Sequence, residues 1–115
     1  MWQVMTPVDT DNDTTSPDIS VVLPTLNEET TIAICISKIQ EVFQSMKIRG
    51  EIIVSDSSTD STPEIARSLG AVVVHPEHRG YGYAYLEGFR HARGRYIVIG
   101  DADNTYDFLE LPTLL

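Results

Sequence analysis

The stretch R-Y-I-V-I-G-D-A-D, residues 95–103, is a short apolar run that ends in two carboxylates separated by one small residue. Two aspartates at the exposed end of a strand repel each other, and a hard divalent cation that prefers oxygen ligands would neutralise them. The pattern therefore predicts a strand that delivers a metal site, Asp101 and Asp103, at its carboxyl end. A polar turn is the alternative for the tripeptide alone, because aspartate is common in turns.

Upstream of this stretch, apolar segments alternate with segments of helical periodicity. Strands are predicted at residues 19–23, 51–55, 71–75 and 96–99, and helices at residues 27–47, 63–69 and 83–92. Pro24 is predicted to end the first strand and Asn27 to cap the first helix. Strands that are apolar throughout and separated by helices predict an α/β fold with a mostly parallel sheet covered by helices on both faces.

Composition restricts the class of protein and its partners. A chain of 115 residues with 42% hydrophobic and 22% charged residues is enough for one globular domain. Residues 1–18 are predicted to be a flexible acidic tail and residues 19–115 the globular part. The net charge of −9 argues against nucleic acid as a partner, since a positive surface binds phosphate backbones. No apolar run approaches bilayer length, so the chain is predicted to be soluble and cytoplasmic.

Polar clusters follow three of the predicted strands. They are P-T-L-N-E-E at residues 24–29, D-S-S-T-D at residues 56–60, and D-A-D at residues 101–103. In an open parallel sheet, ligands bind beyond the carboxyl ends of the strands. The convergence of the three clusters on that edge predicts a binding site there.

These motifs resemble those of the family 2 glycosyltransferases, in their nucleotide-sugar-binding half. The resemblance is carried by residues 24–29, by E-I-I-V-S-D-S-S-T-D-S-T at residues 51–62, by R-G-Y-G-Y-A-Y-L-E-G-F-R-H-A-R-G-R-Y-I-V-I-G-D-A-D at residues 79–103, and by N-T-Y-D-F at residues 104–108. The subgroup it resembles most is that of the polyprenyl-phosphate (dolichol-phosphate-like) glycosyltransferases. The resemblance implies a Rossmann-like GT-A fold and transfer of a sugar from a UDP- or GDP-sugar to a polyprenyl phosphate, with inversion.

The resemblance also implies roles for individual residues. Asp103 would ligate Mg²⁺ or Mn²⁺, and Asp101 would contact the ribose or a metal-bound water. The nucleotide would be bound by Pro24, Asn27, Glu28, Asp56, Arg79 and Asp101. Within that set, Glu28 would accept hydrogen bonds from the ribose or the base, Asp56 would accept one from the base edge, and Arg79 would meet phosphate charge.

The sequence departs from the family pattern in three places. Ser55-Asp56 stands where many members have two aspartates, Ser57 stands where glycine is common, and Tyr81 stands where a basic residue is frequent. The chain also ends soon after the metal motif, so it is predicted to be a fragment that lacks the acceptor-binding half. In the family that half, or a partner chain, would provide membrane association at the cytoplasmic face.

Three other functions remain alternatives at this point. A dinucleotide-binding dehydrogenase fits the strand and helix pattern, but Gly80-Tyr81-Gly82 follows the third strand instead of the first. A nucleotidyltransferase would need a glycine-rich, basic loop where P-T-L-N-E-E stands. A module that binds nucleotide without transferring sugar is the alternative from a different class.

Overall fold

The computed structural model describes residues 3–4, 16–100 and 102. The elements are β1 (Gln3–Val4), β2 (Ile19–Thr25), α1 (Ile32–Met46), β3 (Gly50–Asp56), α2 (Thr62–Ser68), β4 (Val72–Val74), α3 (Tyr81–His91) and β5 (Tyr96–Ile99). They form one sheet in the order β1-β5-β2-β3-β4, in which β5, β2, β3 and β4 are parallel and β1 is antiparallel to β5. The predicted α/β fold with a mostly parallel sheet is confirmed.

Helices cover both faces of the sheet, as the alternation of side chains along the strands requires. One cluster joins α1 and α2 to Val21 and Leu23 of β2 and to Val54 of β3. The residues between them in sequence, Val22 and Ile53, belong to a second cluster with the α3 side chains Tyr85 and Phe89. Helix α1 buries residues spaced three or four apart, namely Ile32, Cys35, Ile36, Ile39, Val42 and Phe43.

Strand β2 runs two residues further than predicted, through Pro24 to Thr25. The amide of Gly100 donates to the carbonyl of Val22 at 3.2 Å, so Val22 and Pro24 both turn their backbone polar groups toward the β5 side. Pairing with β5 ends at Val22 opposite Ile99. Pro24 therefore loses no ladder hydrogen bond, and the prediction that it ends the strand is wrong.

The first helix also begins later than predicted. Helix α1 starts at Ile32 with Thr31 as its N-cap residue, whereas Asn27 lies in a separate turn with a φ of 55°. The prediction that Asn27 caps this helix is wrong, because its side chain bonds a distant loop instead. Helix α3 starts at Tyr81, two residues before the predicted start. Gly70 follows α2 with a φ of 91°, the left-handed conformation in which glycine commonly ends a helix.

Part of the predicted tail belongs to the folded structure. Gln3–Val4 pairs with β5 as an edge strand, which the sequence analysis does not predict. The amide of Asp18 donates to the carbonyl of Arg49 at 2.7 Å, and its carboxylate lies 3.7 Å from the Arg49 guanidinium. The tail prediction is therefore corrected at these positions, and residues 1–2 and 5–15 lie outside the described residues. None of the described helices has the length and apolarity to span a bilayer.

Candidate functional site

The loops that follow β2 and β3 meet at the carboxyl edge of the sheet, as predicted. Thr25 and Asp56 are opposite each other at the ends of the two paired strands. The amide of Ser57 donates to the carbonyl of Thr25 at 3.0 Å, which continues the strand pairing into the loops. The first two polar clusters are thus in direct contact. Of the third cluster, residues 101–103, the structure describes only Ala102.

Asp56 is held inside the protein at this edge. It is 2% exposed, and its Oδ1 accepts a hydrogen bond of 2.7 Å from the Thr25 hydroxyl. The amide of Ser58 donates to Oδ2 at 3.1 Å, and Nδ1 of His75 lies 3.8 Å from the same oxygen. The carboxylate therefore fastens the loop after β3 to β2, and the main-chain carbonyl oxygen of Asp56 lies 3.1 Å from His75 Nδ1 at the end of β4. The predicted contact of Asp56 with a base stays a prediction.

The β2–α1 loop and the β3–α2 loop are fastened to each other by their polar side chains. Asn27 Oδ1 accepts from the amide of Thr59 at 2.9 Å, and the amide of Asn27 donates to Ser58 Oγ at 2.8 Å. The amide of Glu28 donates to Thr62 Oγ1 at 2.9 Å, and Glu28 is half-buried. Asn27 and Glu28 thus shape the rim of the site.

Asp60 completes this connection between the two loops. Its carboxylate accepts hydrogen bonds from the amide and hydroxyl of Thr62 and, at 3.4 Å, from the amide of Glu29. Desolvation alone would raise the pKa of Asp60, but these hydrogen bonds outweigh it, so the pKa lies below its ordinary value of 3.8. The bond from the amide of Thr62, two residues on, forms an Asx turn at Asp60.

A cleft opens in front of these loops, with a cavity volume of about 150 Å³. It is lined by Pro24, Thr25, Leu26, Ser57, Arg79, Gly80, Tyr81 and Ala84. Two residues predicted to bind nucleotide, Pro24 and Arg79, are therefore brought together here. Gly80, with a φ of 117°, turns the chain from the exposed Arg79 into α3. Asn27, Glu28 and Asp56 are not among the residues that line the cleft.

The predicted metal ligands Asp101 and Asp103 lie outside the described residues, but Ala102 between them is described. Its carbonyl accepts hydrogen bonds from Thr31 Oγ1 at 2.8 Å and from Cys35 Sγ at 3.3 Å. The start of α1 therefore holds the backbone at the centre of the Asp-Ala-Asp motif. Two carboxylates are the oxygen donors that Mg²⁺ and Mn²⁺ prefer, so the donor set fits such an ion. Within residues 3–4, 16–100 and 102, no group of three or more His, Cys, Asp or Glu could hold a metal ion.

Sequence reasoning missed several residues of the site. Thr25 and Thr31 bond to residues 31 and 71 positions away, which no local pattern reveals. The sequence analysis gives Tyr81 no role in the site, yet it lines the cleft with 69% of its surface exposed. Its position beside two glycines, in a loop that enters a helix, is the signal that could have identified it.

Comparisons of the sequence identify its relatives. The sequence model described as Glycosyl transferase family 2 matches residues 20–115. The Low-salt glycan biosynthesis hexosyltransferase Agl6 of Haloferax volcanii is 58% identical over 100 residues, which are 87% of this chain and 24% of that protein. The Dolichyl-phosphate hexose transferase of the same organism is 37% identical over 101 residues, which are 88% of this chain and 43% of that protein. The chain thus spans less than half the length of these two relatives.

Solved structures show the same fold. Mannosyl-3-phosphoglycerate synthase from Rubrobacter xylanophilus superposes with a TM-score of 0.74 at 27% identity, over 83% of this chain and 33% of that chain. Glucosyl-3-phosphoglycerate synthase from Mycobacterium tuberculosis, solved in complex with Mn²⁺, UDP and glucosyl-3-phosphoglycerate, gives a TM-score of 0.70 at 36% identity, over 84% of this chain and 37% of that chain. These similarities confirm the predicted GT-A-like fold. With a sequence model that matches residues 20–115, the chain belongs to glycosyl transferase family 2.

Proposed function

We propose that this chain forms the donor-binding part of a hexosyltransferase that moves a sugar from a UDP- or GDP-sugar to a polyprenyl phosphate, with inversion. The observation that carries the proposal is the cleft at the carboxyl edge of the sheet, where Arg79 at the start of α3 meets the loops after β2 and β3. Supporting it are the 37% identity to a protein named dolichyl-phosphate hexose transferase and the 36% identity to a synthase solved with Mn²⁺ and UDP.

The residues of the cleft suit a nucleoside diphosphate. The guanidinium of Arg79 is exposed at the cleft and would pair with a phosphate through charge-assisted hydrogen bonds. The hydroxyl-bearing residues Thr25 and Ser57 also line the cleft, together with the exposed Leu26. Asn27 and Glu28 form the rim, from which the Glu28 carboxylate would reach ribose hydroxyls. In this proposal Asp56 braces the loop after β3 and would accept a hydrogen bond from the base edge.

Asp103 would hold the metal ion together with Asp101, and Thr31 would keep the backbone between them in place through Ala102. When bound, Mg²⁺ or Mn²⁺ neutralises the charge that develops on the departing nucleoside diphosphate. Arg79 would add to that stabilisation from the α3 side of the cleft. The proposed transfer would not need a general base from this half, because an acceptor phosphate is already ionised at neutral pH.

The proposed acceptor decides where the protein would act. A polyprenyl phosphate is anchored in a bilayer, so the transferase would work at the cytoplasmic face of a membrane. We propose that contact with the membrane comes through other parts of the enzyme or through a partner chain.

Calorimetric titration of the chain with UDP and with GDP, in the presence and absence of Mn²⁺, tests the donor site. The expected result is binding that Mn²⁺ strengthens, and loss of the metal-dependent part in Asp103→Ala, because one carboxylate of a two-carboxylate site is removed. Asp11→Ala is the matched control, since it removes the same charge from the N-terminal segment. It should bind as the unaltered chain does.

Two results would contradict the proposal. One is a folded chain that binds neither nucleotide, with or without the metal. The other is a metal-dependent increase in affinity that Asp103→Ala and Asp11→Ala leave equally intact.

A further inference from the structure

The cleft has apolar walls as well as polar groups. Two elements that flank it each present an exposed apolar side chain, Leu26 after β2 and Tyr81 at the start of α3, with exposed fractions of 53% and 69%. Large apolar side chains left exposed on either side of a concave site are typical of a ligand-binding pocket. Pro24 and Ala84 complete the apolar part of the lining.

Tyr81 differs from the other exposed aromatic residue on α3. It is the one aromatic side chain among the described residues that line the cleft. Its ring stacks on that of Tyr85, with centroids 6.4 Å apart, and Tyr85 in turn stacks on Phe89 at 6.2 Å. Tyr85 and Phe89 pack against the second core cluster, so the row of rings anchors Tyr81 to the core. Tyr83, two residues along, instead contacts His78 outside the cleft.

The polar group expected to recognise the base is less available than this ring. Asp56 is 2% exposed and both of its carboxylate oxygens already accept hydrogen bonds from the protein. A base that enters the cleft therefore meets the exposed face of Tyr81 more readily than the Asp56 carboxylate. Stacking on an aromatic ring favours any flat base, since every base has a π-face.

We infer that Tyr81 is the residue on which the nucleobase of the donor stacks, and that this contact, more than hydrogen bonding to Asp56, provides the affinity for the base. The inference rests on the proposed function, because it names the part of the nucleotide that this cleft takes. Arg79, the residue before Gly80, is then next to the ring and close to where the first phosphate of the nucleotide would lie.

Titration with UDP and with inorganic pyrophosphate, both in the presence of Mn²⁺, separates the base from the phosphates. In Tyr81→Ala the affinity for UDP should fall about tenfold, the size of one base–aromatic contact. The affinity for pyrophosphate should stay the same, because that probe has no base. Tyr81→Phe should restore UDP binding, since the ring is what stacks.

Tyr83→Ala is the matched control, because it removes an exposed tyrosine of the same helix that lies outside the cleft. It should bind UDP as the unaltered chain does. UDP binding that Tyr81→Ala leaves unchanged overturns the inference alone, and equal loss of UDP and pyrophosphate binding does so too. Failure of the unaltered chain to bind either nucleotide overturns the proposed function and this inference with it.

Discussion

Polar contacts connect strands and loops at both the amino edge and the carboxyl edge of the sheet, where the parallel strands begin and end. The two edges differ in the surroundings of these contacts. At the amino edge, Ser20 Oγ donates to a Glu51 carboxylate oxygen at 2.6 Å and accepts from the amide of Gly94 at 2.7 Å. The amide of Arg93 donates to the same Glu51 oxygen at 2.7 Å. These groups connect the starts of β2 and β3 to the loop before β5 and satisfy one another.

At the carboxyl edge, the bonds of Asp56 and Asn27 form a similar layer, but the surface in front of them is open. Leu26, Arg79 and Tyr81 are exposed there, and the Ser55 hydroxyl, buried behind the edge, has no hydrogen-bond partner among the described residues. An unsatisfied buried hydroxyl reduces stability. The polar groups described at the amino edge thus satisfy one another, whereas the carboxyl edge has a buried hydroxyl without a partner among the described residues and a cleft in front of its loops.

The largest effect is expected at the amino edge, from Gly94→Ala. A Cβ at Gly94 would lie 2.5 Å from the backbone nitrogen of Ser20 and 2.6 Å from the carbonyl carbon of Ile19. Backbone atoms of a central strand cannot move aside without breaking its pairing, so the free energy of unfolding should fall by about 3 kcal/mol. Urea unfolding followed by circular dichroism measures this difference.

Gly82→Ala is the matched control for that substitution. Its Cβ would meet nothing within 4 Å, and it lies within α3, where alanine is the better helix former by about 1 kcal/mol. The control should therefore unfold at the same or a higher urea concentration. Equal midpoints for the two variants would show that the amino edge tolerates more change than its contacts indicate.

A smaller effect is expected at the carboxyl edge from Thr31→Val. The substitution keeps the shape of the side chain and removes the hydrogen bond to the carbonyl of Ala102. The free energy of unfolding should fall by about 1 kcal/mol, because Cys35 Sγ still donates to that carbonyl. The same urea unfolding measures it.

Thr31→Ser keeps the hydroxyl and should retain most of the stability that Thr31→Val loses. If Thr31→Val unfolds at the same urea concentration as the unaltered chain, the hydrogen bond does not stabilise this position. In that case the tie between α1 and Ala102 contributes little.

The elements of the fold could be predicted because their signals are local. Four apolar strands and the helical spacing of Ile32, Ile36 and Ile39 suffice to predict a parallel sheet covered on both faces. The same reasoning predicted that the loops after β2 and β3 would meet, since parallel strands bring their carboxyl ends to one edge.

What could not be predicted depends on contacts between distant residues. Asn27 has the residue type and position of a helix cap, but its side chain bonds Thr59, 32 residues away, and the helix starts later. Pro24 remains in a strand because the neighbouring strand ends first, which depends on register. The pairing of β1 with β5 joins residues 3 and 99, and a two-residue strand has no periodicity to detect.

The smallest change in the free energy of unfolding is expected at Asp60, and this change should depend on pH. Its pKa is lowered by hydrogen bonds that connect the two loops of the carboxyl edge, so the ionised form stabilises the folded protein. That stabilisation is complete above the pKa of the unfolded chain, near 3.8, and is lost as the pH falls through the lower folded pKa. Asp60→Asn should therefore lower the free energy of unfolding at neutral pH, and the deficit should shrink as the pH falls from neutral to below 3.8. Urea unfolding of both proteins across this range measures the deficit.

In a Thr62→Val background, which removes one donor to Asp60, the pH dependence of the deficit should be weaker. A deficit that stays constant with pH in both backgrounds would mean that the shape of the Asp60 side chain, and not its charge, joins the two loops. The carboxyl edge would then resemble the amino edge more closely than its exposed groups indicate.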